Sequence, residues 1–316
     1  MPPNSPASGS TLTGSSGPKS ARLEVLIPFA IVTLIWGSTW FVIKDQLHVV
    51  PPSWSVTYRF AVAGVTMLAW AAMRRERLAL DARGMGFAAA LGVSQFVLNY
   101  NFVYVSEQYI TSGVVAVVYA LLLVPNAILA RIFLGQKMGR QLLVGSVIAI
   151  VGAGLLFIHE ARLSDAGPSQ VLIGIGIALG GLLFASVANV MQAARVAKAY
   201  PMATMLGWAM LLGAGIDGIF SLATAGPPVI ELRWGYVIGI LYLGVIGSGV
   251  AFSLYFALIR TIGPTKAAYT GVAIPVIAML LSTLFEGYRW SWLAAGGVAL
   301  ALAGLVTALK ARRPNR

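Results

Sequence analysis

The chain has 316 residues, of which 58% are hydrophobic and only 10% charged, with a mean hydropathy of +0.83. So much apolar surface cannot be hidden in a soluble core of this size, and the chain reads as an all-α integral membrane protein. A formal charge of +12 would point to nucleic acid in a soluble protein, but here its distribution orients the chain in a bilayer, and the absence of cysteine excludes disulfides and thiolate metal sites.

Residues 1–22 are rich in Ser, Pro and Gly and read as a disordered tail. Ten segments then follow that are long enough to cross about 30 Å of hydrocarbon. They are approximately 25–43, 54–73, 84–104, 110–134, 141–158, 171–194, 202–223, 234–258, 265–285 and 291–309. The first runs straight into Lys44 with no small-residue cleavage site, so it is read as a span rather than a cleavable signal. Of the 22 Lys and Arg, 17 fall on the side of the two tails, four (Lys44, Arg162, Arg233, Arg289) fall on the opposite side, and Arg59 lies inside the second span. The imbalance predicts cytoplasmic termini.

Trp36 and Trp40 in the first span are four residues apart, hence on one helical face. A 1.5 Å rise per residue puts Trp36 roughly 16 Å deep, near the midplane rather than at the interfacial belt, although lipid packing is the plainer alternative for the pair. Arg59 enters about one and a half turns below the outer surface, where it either snorkels as an anchor or partners a substrate carboxylate. The third span is the most polar, with Ser94, Gln95, Asn99, Tyr100, Asn101 and Tyr104. Gln95 and Asn99 share a face while Asn101 points away. Buried amides need partners, so this helix is expected between a polar lumen and protein, against the simpler reading of interhelical glue.

The fourth run, 110–134, is broken by Pro125. An interior proline costs about 3 kcal/mol and, in a bilayer, is tolerated where the freed carbonyls are buried or face a water-filled cavity. Tyr119 and Asn126 are seven apart on one face of the same run. Pro275 interrupts the run 265–285 in the same manner. Leu134-Gly135-Gln136 recurs as Leu284-Phe285-Glu286 at an offset of 150 residues, and Gly145 and Gly152 recur as Gly297 and Gly304 with the same spacing of seven. The chain therefore reads as a duplication, with repeats at 23–158 and 170–309 and a tail at 310–316. Paired interruptions in two halves point to a transporter's binding site.

Spans five and ten carry glycines and few polar side chains, as expected of outer scaffolding. Span six brings Asn189 and Gln192 near its cytoplasmic end. In span eight Tyr242, Gly249 and Ser253 fall on one face, since 11 residues make about three turns, and Gly247-Ser248-Gly249 weakens the helix in mid-membrane. Tyr269 opens span nine. Asp217, in the outer third of span seven, is the one acid clearly within a span and so a candidate for proton coupling. The two histidines, His48 and His159, lie at outer helix ends. With neither a metal-ligand pattern nor a phosphate-binding loop, no cofactor is expected.

Trp36-Gly37-Ser38-Thr39-Trp40 followed by Phe41-Val42-Ile43-Lys44, then Arg59-Phe60, Gly64, Thr111-Ser112-Gly113, Leu134-Gly135-Gln136 and Gly263-Pro264-Thr265-Lys266, resemble in order and recurrence the EamA-type transporters of the drug/metabolite transporter superfamily. The likeness covers about residues 25–309 and is greatest to the aromatic amino acid exporter branch; Gln136 and Phe285 depart from the family's usual Leu-Gly-Glu. It implies ten transmembrane helices in two inverted five-helix repeats around a central cavity. It also implies non-ATP-driven export of small metabolites, chiefly neutral and aromatic amino acids, by alternating access across a bacterial inner membrane. The expected substrate-binding residues are Trp36, Trp40, Gln95, Asn99, Tyr119, Tyr242, Ser253 and Arg59, with Pro125 and Pro275 as gating kinks; Asp217 is a candidate for proton coupling, against the simpler reading of facilitated, gradient-driven export. Amino acids and membrane lipid are the expected partners, nucleic acid is not, and the expectation allows a monomer. A proton-driven drug exporter is the alternative, ahead of a membrane-embedded enzyme, which would need an acid/base pair near the surface, and a channel, which would need a continuous polar stripe.

Overall fold

A computed structural model describes residues 18–163, 167–262, 267 and 270–309. The tails 1–17 and 310–316, Tyr269 and the Gly263-Pro264-Thr265-Lys266 stretch lie outside the described residues. Among the described residues every regular element is helical. Ten rods follow in order: α1 (Pro18–Asp45), α2 (Pro52–Met73), α3 (82–106), α4 (Ser112–Leu134), α5 (Arg140–Leu163), α6 (Pro168–Ala193), α7 (Met202–Ala225), α8 (Trp234–Ile262), α9 (Thr270–Phe285) and α10 (Trp292–Leu309), with a single turn at Arg195–Lys198 after α6. Seven of them, α1, α2 and α4 to α8, are long and apolar enough to cross a membrane, and α9 and α10 contain shorter apolar helices. This is an integral, multi-pass membrane protein. Helix α1 starts at Pro18, so the end of the stretch read as tail is helical.

Local chemistry sets the ends and irregularities. Pro52 and Pro168 open their helices at the position where a missing N–H costs nothing. Gly135 ends α4 in the left-handed conformation, φ 67°, that residues with a Cβ avoid. Asp81 caps α3, accepting from the Gly84 N–H at 2.7 Å and the Tyr200 hydroxyl at 2.7 Å. The Tyr200 bond, then the Gly84 bond, hold its carboxyl below the ordinary carboxylate range.

Helix α4 is discontinuous just ahead of Pro125, as the sequence requires. Its first segment ends at Ala120 and the second starts at Leu123, with Val124 N–H donating to Leu121 O at 2.9 Å in a tightened turn. Helix α9, by contrast, is continuous through Pro275. This differs from the expected pair of interruptions. Little more than one turn of Thr270–Phe285 precedes Pro275, and the carbonyl it orphans is that of Gly271, which borders a cavity. Two further irregularities went unforeseen as such: α3 carries a π-helical segment at Gly92–Leu98 and α8 another at Tyr242–Val250.

The helices pack in reciprocal pairs. Gly64 meets Leu211 while Leu68 meets Gly207, so α2 and α7 cross antiparallel through the same two residue types on each side. Gly145 meets Gly304 and Ala308 while Gly152 meets Gly297 and Ala301, which does the same for α5 and α10. Other contacts come in mates that exchange when five is added to or taken from each helix number: α1 with α9 and α6 with α4, α3 with α6 and α8 with α1, α3 with α7 and α8 with α2. Helix α4 is central, with Val114 to Val118 all buried, whereas α5 turns Val144, Val147 and Ile150 outward.

Glycine is required at the α5–α10 crossing. A Cβ built on Gly297 would sit 2.8 Å from the Gly152 carbonyl oxygen and 2.9 Å from the Leu156 nitrogen. Gly154, on the same helix α5, has no neighbour within 4 Å. Gly152→Leu is therefore expected to destabilise by about 2 kcal/mol or more through overpacking. The apparent unfolding midpoint in detergent should fall for Gly152→Leu and stay unchanged or rise for Gly154→Leu; equal effects would show that the crossing does not depend on close backbone approach.

Candidate substrate cavity

Helices α1, α3, α4, α6, α8 and α9 surround a cavity of about 100 Å³. The wall is mostly apolar and aromatic: Trp36, Trp40 and Ile43 from α1, Tyr100 and Val103 from α3, Tyr119 and Leu122 from α4, Phe252 and Tyr255 from α8, and Ile274 from α9. Its polar members are Gln95, Asn99, Asn189 and Thr270. No charged side chain lines it among the described residues.

Trp36 donates its indole N–H to Gly247 O at 3.1 Å and packs against Phe252 and Tyr255, with ring centroids 5.1 and 4.8 Å away. The acceptor lies within the π segment of α8, where irregular winding frees carbonyls for side chains. Trp40 packs against Tyr119 with the ring centroids 5.2 Å apart and the planes tilted by 55°, and its own indole N–H is buried without a partner. The Tyr119 hydroxyl donates to Asn99 Oδ1 at 2.7 Å, and Asn99 Nδ2 donates to Gln95 O at 3.3 Å, which fixes three wall residues relative to one another. Gly181 of α6 leaves room for that tyrosine hydroxyl. The Gln95 side-chain oxygen is buried and has no partner. On the far side Asn189 Nδ2 lies 3.5 Å from Asn126 Oδ1, next to the break in α4.

Of the residues singled out in the sequence, Trp36, Trp40, Gln95, Asn99 and Tyr119 come together around the cavity, and Tyr242, Ser253, Arg59 and Asp217 do not. Tyr242 hydrogen-bonds Ser38 of α1 at 2.6 Å. Ser253 donates to Gly249 O at 2.7 Å and touches Met67 Sδ. The reason lies in the π segment between them: an i→i+5 segment turns less per residue than an α-helix, so the face extrapolated from Tyr242 does not continue to Ser253. Phe252 and Tyr255 occupy the wall instead.

Arg59 does not snorkel to the surface. It is 1% exposed, donates from Nε to Ser248 Oγ at 3.0 Å, and holds its guanidinium 4.4 Å from the Tyr100 ring centroid and 5.3 Å from that of Phe60. Its Nη1 is buried without a partner. Depth along the chain misjudged it because α8 and α3 cover its outer side. Asp217 is fully buried behind α3, accepting from Asn101 Nδ2 at 2.6 Å and from Thr57 Oγ1 at 3.0 Å. Helix α3 thus presents polar groups to the cavity on one face and to α7 on another. Pro125 and Pro275 flank the cavity without lining it.

Glu107 was passed over because the third span was ended at residue 104, three short of it. It is buried with both carboxylate oxygens unpartnered, beyond the cavity's Ile43–Val103 end. A signal was available: an acid one turn from Val103, on the face that the cavity uses.

The chain is similar to known membrane proteins over most of its length. It is 31% identical over 292 residues to the "Uncharacterized inner membrane transporter YedA" of Escherichia coli, covering 89% of this chain and 91% of that one. It is 23% identical to "Protein PagO" of Salmonella typhimurium, covering 85% and 88% of the two chains, and 23% identical to the "Uncharacterized transporter YoaV" of Bacillus subtilis, covering 83% and 88%. A solved crystal structure superposes with a TM-score of 0.67 at 18% identity, covering 91% of this chain and 96% of that one, which speaks for the fold alone. The model of the EamA-like transporter family matches twice, at residues 25–158 and 172–309. Two matches that take up nearly the whole helical part of the chain, together with the helix contacts that exchange between its halves, have one conclusion: this protein belongs to the EamA-like transporter family.

Proposed function

We propose that the protein is a secondary exporter of neutral amino acids, aromatic ones included, with ten transmembrane helices in two inverted five-helix repeats and both termini in the cytoplasm. The reciprocal pairing of α2 with α7 and α5 with α10 supports the inverted repeat, and the excess of basic residues on the side of the termini supports the orientation. Trp36, Trp40, Gln95, Asn99 and Tyr119 bind the substrate. Arg59 acts from one layer behind Tyr100, and Tyr242 and Ser253 hold the wall rather than touch the ligand.

The observation that carries the reading is the pair of unpartnered groups in an uncharged wall, the Trp40 N–H and the Gln95 side-chain oxygen. One can donate to a carboxylate and the other can accept from an ammonium. A zwitterion supplies both, while a ligand of net charge would enter a wall without a counter-ion at a cost of several kcal/mol. Aromatic rings add apolar burial at about 25 cal/mol per Å². Transport of phenylalanine, threonine and methionine into proteoliposomes should exceed that of glutamate and lysine. Trp36→Ala should penalise phenylalanine over threonine by about tenfold, or about 1.4 kcal/mol. Preferred transport of glutamate would sink the site.

Alternating access in this reading uses the break ahead of Pro125 as a hinge. Pro125→Ala restores the N–H that would bond Leu121 O and joins the two segments of α4. Transport should slow several-fold while substrate affinity, read by tryptophan quenching, stays the same. An unchanged rate would make the break a tolerated irregularity.

Proton antiport through Asp217 is the second reading. It is favoured by the burial of a carboxylate whose hydrogen-bond donors are neutral side chains. Asp217→Asn should then abolish proton-driven export but leave substrate counterflow intact from about pH 6 to about pH 8. Export that still responds to a proton gradient in this variant would exclude Asp217 as the carrier.

A further inference from the structure

The Ile43–Val103 end of the cavity is closed by a buried layer where α1, α3, α4 and the residue after α9 meet. Tyr104 donates to Gln46 Oε1 at 2.9 Å. Lys44 Nζ donates to the backbone carbonyl of Glu107. Glu286 accepts from the Ser112 N–H at 3.2 Å and from its hydroxyl. Past this layer the chain is exposed, at His48 and Val49 on one side and Gln108 on the other.

Glu107 sits within the layer at 0% exposure, with no hydrogen-bond partner for either side-chain oxygen. The nearby ammonium of Lys44 spends its hydrogen bond on the Glu107 carbonyl instead. A carboxylate stripped of water and of donors takes up a proton. Burial accordingly holds this carboxyl well above the ordinary value of 4.5, while Lys44 pulls it down, Glu286 pushes it up and Arg59 pulls it down. Further titratable groups at this end are His48 after α1, Tyr104 on α3, Tyr119 on α4, His159 and Glu160 on α5, and Tyr288 beside His159; Glu160 accepts from Thr111. Asp45 is engaged by Arg233 at 3.0 Å.

We propose that Glu107 is a proton-binding gate residue: the layer that closes this end of the cavity forms around its neutral, protonated carboxyl, and opening toward the outside releases that proton to external water. The inference rests on the orientation proposed above, which makes this the outer end. It is separate from any coupling at Asp217, since the proton is taken up and released on one side and none is moved across the membrane.

The closed layer binds the proton more tightly than the open one, so acid outside favours closure. That preference is complete below the open-state value, near the ordinary 4.5, and is lost as pH rises through the raised closed-state value. One proton limits the change in the open-to-closed ratio to at most about tenfold per pH unit.

The chain has no cysteine, so a single introduced thiol reports accessibility cleanly. Val103→Cys lies just inside the layer and Val49→Cys on the exposed turn outside it. Both are labelled in right-side-out vesicles with a membrane-impermeant maleimide, and the ratio of their rates removes the pH dependence that the two sites share. The ratio should rise several-fold to about tenfold per pH unit above the acid plateau. It should be low and flat with Glu107→Gln, and pH-dependent again with Glu107→Asp. A flat ratio in the parent overturns the proposal without any change at Glu107. An undiminished slope in Glu107→Gln also overturns it, moving the titration to His48, His159, Glu160 or Glu286. Failure to label Val49→Cys from outside would instead overturn the orientation, a separate result.

Discussion

Hydrocarbon offers helices no hydrophobic reason to associate, so their packing depends on how closely backbones can approach. In this protein that approach is made at Gly64 and Gly207 between α2 and α7, and at Gly145, Gly152, Gly297 and Gly304 between α5 and α10. Each crossing pairs like with like across the two halves, so one set of residues satisfies both sides of its own interface. The α5–α10 pair, apolar and partly lipid-facing, carries no cavity residue. The remaining helices are thereby left to enclose the cavity, with α4 as the element most fully surrounded by protein.

The same solvent governs the polar groups. Each intramembrane charge is kept off the cavity surface by a specific cover: Arg59 by the ring of Tyr100, Asp217 by α3 through Asn101. The wall that remains is aromatic and amide in character. The Tyr119 hydroxyl and the Asn99 amide are held by their mutual bond and by the Gln95 backbone carbonyl, so these two wall groups are preset rather than free. A transporter needs weak, reversible binding, since tight binding would slow release. A millimolar affinity corresponds to only about −4 kcal/mol.

The sequence made the scaffold legible because its signals are local and repeated. Hydrophobic runs located all ten rods, most ends falling within about four residues but the start of α1 lying seven residues earlier and the end of α5 five residues later than drawn, and the seven-residue glycine spacing marked α5 and α10 as corresponding helices. Five cavity residues followed from helical spacing in α1, α3 and α4. Spacing failed where the helix itself changes pitch, as in the π segment of α8, which directed Phe252 and Tyr255 rather than Ser253 to the wall. Depth counted along one helix failed for Arg59, because burial at that level is decided by what α3 and α8 lay over it. Glu107 escaped because hydropathy ends a span at its last apolar residue, whereas protein packing continues past it.

The two halves are not interchangeable in detail. Where the paired contacts of α5–α10 and α2–α7 are symmetric, α4 is broken ahead of Pro125 and α9 runs through Pro275. In the proposed inverted architecture a fully symmetric bundle would face neither side, so one-sided access requires the repeats to differ in conformation. The difference lies in the two helices that touch each other beside the cavity, at Gly113 against Met279 and Ser282. Access to the other side would then follow from exchanging the two helix shapes rather than from remaking the crossings. In that proposal the glycine contacts of α5 with α10 would hold their register while α4 and α9 changed shape against each other.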